Sequence, residues 1–133
     1  MPKSETAKPE AAKSESPSPL NLAVLRGEVS SPPDVRTLPS DAVLVQLQVT
    51  TRLESETLST PIAVWNPPAW VETLEPGTEI VVVGRVRRRF FRAAGATASR
   101  VELEADVVAR ASDRRRVRAA VRKVTAALEE LVG

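Results

Sequence analysis

Two stretches of strict alternation constrain this chain more than any other feature. From Ala42 to Thr51, Val43, Val45, Leu47 and Val49 fall on one side, and Leu44, Gln46, Gln48 and Thr50 on the other. From Ser99 to Ala109, Val101, Leu103, Ala105 and Val107 alternate with Glu102, Glu104 and Asp106. Successive side chains of a strand point to opposite faces, so a period of two marks half-buried strands, not helices. Three further runs fit the same reading. Leu20 to Ser30 is β-rich and closes on the turn signal Ser31-Pro32-Pro33-Asp34; Thr60 to Trp65 is a short strand broken by Asn66-Pro67-Pro68. Glu79 to Arg89 is centred on Ile80-Val81-Val82-Val83, with Gly95 in the hairpin loop that follows. Pro68 suits the first position of a short helix over Ala69 to Leu74, and Pro76-Gly77 turns the chain into the next strand.

Five strands with a short helix between the third and fourth predict an OB-fold over residues 20–111, a small, partly open Greek-key barrel. With 133 residues, 42% of them hydrophobic, there is room for one packed domain plus appendages. Aromatic residues make up only 3%, so valine and alanine must fill the interior, with Trp70 on the short helix expected to plug the barrel. Met1 to Pro19 holds three Lys and three Glu among Ser, Ala and Pro, with no large apolar side chain after Met1. Such a segment buries too little to offset its ordering entropy, so residues 1–19 are expected to be a disordered tail. At the other end, Ser112 or Asp113 can cap a helix over residues 112–133. There Val117, Val121, Val124, Leu128 and Leu131 are spaced 4-3-4-3, the narrow stripe of a helix that pairs with another.

The order of these pieces resembles the bacterial single-stranded DNA-binding protein family over roughly residues 20–110. The resemblance is carried by Asn21, Leu25 and Gly27; by Pro33-Asp34 with Arg36; and by Val64-Trp65 with Ala69. It continues through Gly77 to Val81, Val83-Gly84-Arg85-Val86, then Arg88, Phe90, Phe91 and Gly95, and ends on Glu102 with Val107-Val108-Ala109. It implies sequence-tolerant binding of single strands in replication, recombination or repair, by a homo-oligomer. Single strands are held by aromatic platforms that stack bases and by basic grooves that track phosphates. Trp65 and Phe91 fall where the family places stacking aromatics. Arg85, Arg87 and Arg89, with Arg88 and Arg92, make a basic strand beside Phe91, and Arg26 and Arg52 are candidates nearby. Phe90 and Phe91, adjacent on one strand, must point to opposite faces, so one is expected to pack and Phe91 to face solvent. Trp65 shares a face with Ala63, opposite Ile62 and Val64, and is expected to be exposed.

Three departures keep a second reading open. A polar residue near Ser59 stands where the family has another aromatic; Glu54 and Glu56 lie in the short loop between the second and third strands; and the family's acidic, Phe-ended tip is missing. At about 1–3 kcal/mol per stacked base, the loss of a platform weakens binding severely. The arginines also have an alternative role, as cross-strand partners of Glu102, Glu104 and Asp106. Residues 20–111 hold 10 Arg against 11 Asp and Glu, so binding depends on segregation of charge and not on its total. The alternative function is a protein-interaction or regulatory subunit acting through the terminal helix. That helix has Arg114, Arg115, Arg116 and Arg118 at its start and Glu129 and Glu130 at its end, both against the helix dipole. Antiparallel pairing with a second copy relieves both misplacements. Docking on an acidic partner, folding back on the barrel, and a basic stripe from Arg115, Arg118 and Arg122 onto DNA are the other options.

Enzymatic chemistry is not expected. The chain has no Cys and no His, which excludes thiolate or imidazole zinc sites, disulfides and His-dependent triads. No cofactor is expected. No apolar run approaches the roughly 20 residues that cross a bilayer, and no apolar h-region marks a signal peptide. A cytoplasmic, nucleoid-associated protein is the expectation, with no membrane partner.

Overall fold

The computed structural model describes residues 19–133, so the expected disordered tail lies, apart from Pro19, outside the described residues. In chain order the elements are β1 (Ala23–Val29), β2 (Asp34–Thr37), β3 (Val43–Arg52), β4 (Thr57–Trp65), α1 (Ala69–Glu72), β5 (Glu79–Ala93), β6 (Ala96–Arg110) and α2 (Arg114–Glu129). The protein is mostly β, with one small helix inside the strand series and one longer helix after it. There is one strand more than expected. β2 pairs antiparallel with β3 from Asp34↔Gln46 to Thr37↔Val43, and all of its residues are exposed. A strand buried on neither face leaves no alternation of burial to read, so this segment looked like connecting chain.

The strands form a closed ring. The sheet order is β1-β5-β6-β4-β3-β2, and β1 pairs again with β3 through Glu28↔Thr50 and Val29↔Val49. Only β4 and β6 run parallel, at Ile62↔Leu103 and Ala63↔Glu104. Closure requires β1 to pass from β5 to β3 within a few residues, and Gly27 sits at that crossing. A Cβ there would collide with the Thr50 carbonyl oxygen and lie 3.0 Å from Val49 Cγ1. Inside the ring, Val29, Val45, Leu47, Val49, Ile62, Ile80, Val82, Leu103 and Val108 pack as one cluster. The alternation of β3 predicted Val45, Leu47 and Val49 inside, and all three are buried.

α1 closes the ring differently from the expectation. Val71 and Leu74 are the buried plugs, whereas Trp70 only packs against the cluster's edge. The Trp70 ring lies under the Arg110 guanidinium at 4.6 Å and near that of Arg116 at 5.7 Å. These cation–π contacts hold the start of α2 against α1. Asp113 caps α2, its carboxylate accepting from the Arg116 amide at 3.2 Å and pairing with the Arg116 side chain at 3.5 Å. Of the four arginines at this end, Arg116 thus has local partners, Asp113 and Trp70.

α2 folds back on β5 and β6. Ala120 is buried there, with Val117, Val124 and Ala127 half-buried beside it. The expected stripe is therefore split. Val117 and Val124 face the ring, whereas Val121 is 55% exposed and Leu128 and Leu131 are each 45% exposed. The small side chains of Ala120 and Ala127 permit close approach to the sheet, which rotates the packed face away from the larger residues. No helix among the described residues is long and apolar enough to cross a membrane.

Beyond the ring, β5 and β6 continue as an arm. β1 leaves β5 at Ala23↔Gly84, but β5 and β6 stay paired to Ala93↔Ala96, beyond the expected end of the strand at Arg89. The Asn21 side-chain amide extends the ladder by one step. It donates to the Val86 carbonyl and accepts from the Val86 amide, both at 2.9 Å. The tip is a two-residue turn with Ala94 at φ 52 and Gly95 at φ 80, the left-handed pair of a type I′ hairpin.

Candidate nucleic-acid interface

The register of the arm sorts its side chains. Arg85, Arg87, Arg89 and Phe91 share one face of β5, opposite Glu104, Glu102, Arg100 and Ala98 on β6; Val86, Arg88, Phe90 and Arg92 take the other. β4 continues the first face inward with Ala63 and Trp65, because Ala63 is the register partner of Glu104. This outer face carries both expected aromatics, Trp65 at 39% and Phe91 at 40% exposure. Ala63 between them is fully buried although it points outward, so the floor beside Trp65 is covered by neighbouring side chains.

Phe90 departs from the expectation that one of the two phenylalanines packs. At 67% exposure it is the more open of the pair. Opposite faces of a strand mean core and solvent only inside the ring, and these residues lie on the arm, where both faces are wet.

Ion pairs divide the basic strand into two parts. Near Trp65 the charge is neutralised: Arg87 meets Glu104 at 2.7 Å, while Arg85 lies 3.7 Å from Glu104 and 3.6 Å from Asp106. Toward Phe91 the balance tips. Arg36, Arg89 and Arg100 line one cleft of about 280 Å³ with Phe91 and Gln46, and Arg92 joins them from the opposite row of the arm; no carboxylate among the described residues lines it, although Arg36 is paired with Asp34 at 3.4 Å. Arg36 belongs to β2 and Gln46 to β3, so the arm leans across the sheet to bring Phe91 over them. A shallower depression holds Trp65 with Arg87, Arg88, Arg89, Phe90, Glu102 and Glu104.

Two expected contributors lie elsewhere. Arg26 pairs with Glu79 through Nε at 3.0 Å and Nη2 at 3.4 Å, and it sits opposite Val81, close to the α2 side. The Glu79 hydrogen bond, and secondarily its charge, raise the Arg26 guanidinium above its ordinary pKa, so it stays charged and paired. Arg52 lies 3.8 Å from Glu28 at the far end of β3. The ring thus gathers Trp65, Phe91, Arg85, Arg87 and Arg89 on one face and leaves Arg26 outside it, while Arg52 lies on the row of Gln46 at the far end of β3, beside Glu28.

Arg100 and Glu102 were not singled out for this role by the sequence, nor was the meeting of Arg36 with the arm. A signal for Arg100 existed. A two-residue turn at Ala94-Gly95 pairs residues symmetrically about it, which places Arg100 directly across from Arg89. Arg36 had none, because its neighbours arrive only through the lean of the arm. Among the described residues no cluster of acidic side chains is arranged to hold a metal ion. No protein-family model matches the chain, and no curated protein matches it.

Proposed function

We propose that this chain is an OB-fold protein that binds single-stranded DNA with little regard to sequence, using the outer face shared by β4 and the β5–β6 arm. One observation carries the reading. Two half-exposed aromatics, Trp65 and Phe91, lie on one strand face whose distal end is a cleft of four arginines without a lining carboxylate. Stacking platforms beside an electropositive groove are what a single strand requires, because every base offers a π-face and every linkage a charge. The closed ring, with a short helix between β4 and β5, supports the OB assignment, and β2 is then an edge addition. The neutralised part beside Trp65 suits bases, and the basic part beside Phe91 suits phosphates. The protein is no enzyme on this reading and needs no cofactor; it works by holding the strand.

The test is an anisotropy titration of a labelled oligo-dT at several salt concentrations. Binding that weakens steeply as salt rises is the expected result. Absence of binding at low salt overturns the proposal.

A second reading, a protein-interaction module, is favoured by the part of α2 that its own ring leaves uncovered. Val121, Leu128 and Leu131 stay exposed on a helix with arginines at one end and Glu129 and Glu130 at the other. An antiparallel second copy covers that flank and sets opposite charges together.

A further inference from the structure

We propose that the arginine cleft is a clamp for the phosphate of a single nucleotide unit, and that Glu102, buried beside it on the same face, positions the arginines that do the clamping. The proposal rests on the single-strand reading of this face and assigns its phosphate subsite.

Arg89 and Arg100 are direct cross-strand partners. Like charges in that relation repel and destabilise a sheet, so something must hold them together. Glu102, only 5% exposed, does so from the next position along the same face. Its Oε2 accepts from Arg89 Nε at 3.1 Å, and its Oε1 lies 3.9 Å from Arg100 Nη2. That first contact turns the Arg89 guanidinium edge-on, leaving its remaining N–H groups for the cleft that it lines. The second contact is too long for a hydrogen bond, and Glu102 Oε1 is buried with no partner. An unpaired buried carboxylate oxygen is costly, and the group able to satisfy it is already adjacent. When a phosphate enters, Arg100 draws inward between that anion and Oε1, and Arg89 and Arg100 then grip the phosphate side by side. Arg36 and Arg92 close the rim, and Phe91 beside them supplies the platform for the attached base. The volume, about 280 Å³, lies just below the usual range for ligand pockets (about 300–1,000 Å³), which suits one nucleotide unit and not a larger ligand.

Glu102 and Glu104 should then respond in opposite directions, although each variant removes one negative charge from the same face. Glu104→Gln releases Arg87, leaves Arg85 with Asp106 alone, and strengthens oligo-dT binding. Glu102→Gln leaves Arg89 and Arg100 unbridged and weakens it, by roughly tenfold or more if a charge-assisted hydrogen bond is lost. Arg100→Ala lowers the salt slope by about 0.7 for each phosphate contact removed, whereas Arg26→Ala, outside the face, leaves the slope unchanged. Glu102→Gln alters a buried residue, so its folding is checked by a thermal melt and a second measurement uses the unaltered protein. Thymidine 3′,5′-bisphosphate is titrated in, and the arginine Nε–Hε NMR resonances are followed; those of Arg89 and Arg100 should move. Stronger binding by Glu102→Gln overturns the positioning role. An unchanged salt slope in Arg100→Ala, together with unmoved resonances, overturns the clamp while strand binding stands. Resonances that move in a protein that binds no oligonucleotide sustain the phosphate site and overturn the single-strand reading.

Discussion

Replacing Phe91 with alanine removes a platform without touching the core. Phe91 lies on the arm, outside the buried cluster, at 40% exposure. If one base stacks on it, the loss is about 1–3 kcal/mol, which is roughly 5- to 150-fold in Kd at 25 °C. The side chain is uncharged, so the plot of log affinity against log salt should fall without changing slope. Val86→Ala is the internal control, because Val86 is an exposed apolar side chain on the opposite row of the arm and lines neither the arginine cleft nor the Trp65 depression. It should lose far less. The assay is anisotropy of a labelled oligo-dT across a salt series, with circular-dichroism melts confirming that both variants fold. Equal losses in the two variants would refute the assignment of faces. Full affinity in Phe91→Ala would refute Phe91 as a platform, and a changed slope would show that the arginines had moved with it.

Three other substitutions probe the scaffold. Gly84→Ala places a Cβ against the Glu104 carbonyl oxygen and 2.8 Å from Leu103 Cδ2, at the bulge where the arm leaves the ring. Overpacking of this kind costs about 1–3 kcal/mol and should lower Tm in a thermal melt. Ala94→Asn supplies Asn-Gly at a turn where Ala94 already holds φ 52, so hydrogen exchange in the arm should slow. The double variant Val121→Glu with Leu128→Glu charges the uncovered flank of α2, and light scattering should show an assembly falling to monomer; unchanged mass removes this flank from self-association.

The strands with one dry face were legible, and those with two wet faces were not. β3 announced itself because Val45, Leu47 and Val49 alternate with Gln46, Gln48 and Thr50, whereas in β6 a bulge breaks the expected row: Leu103 is inside, but Val108 and not Val107 joins the core, and Val101 is exposed on the arm. Arg85 to Ala93 alternates nothing by polarity, so the arm's length and the exposure of Phe90 escaped a rule that detects half-buried strands only. The stripe on α2 was read from its large residues. Ala120 instead made the contact, because a small side chain lets helix and sheet approach closely.

By itself the sequence determined a chain built from short strands, interrupted at Ser31 to Asp34 and at Asn66 to Pro68 and closed by a capped helix. Those features follow from local physics: side-chain alternation, proline's missing donor and a carboxylate at a helix start. It also determined which side chains could stack or carry charge. Only the tertiary structure decided which charges remain available. Arg26, Arg85 and Arg87 found carboxylates across neighbouring strands, whereas Arg36, Arg89, Arg92 and Arg100 converged on one cleft, where Asp34 and Glu102 are the carboxylates set against four cations. The reason is register and lean. A charge is neutralised or left to a ligand by what stands across the ladder, and that partner is often dozens of residues away in the chain.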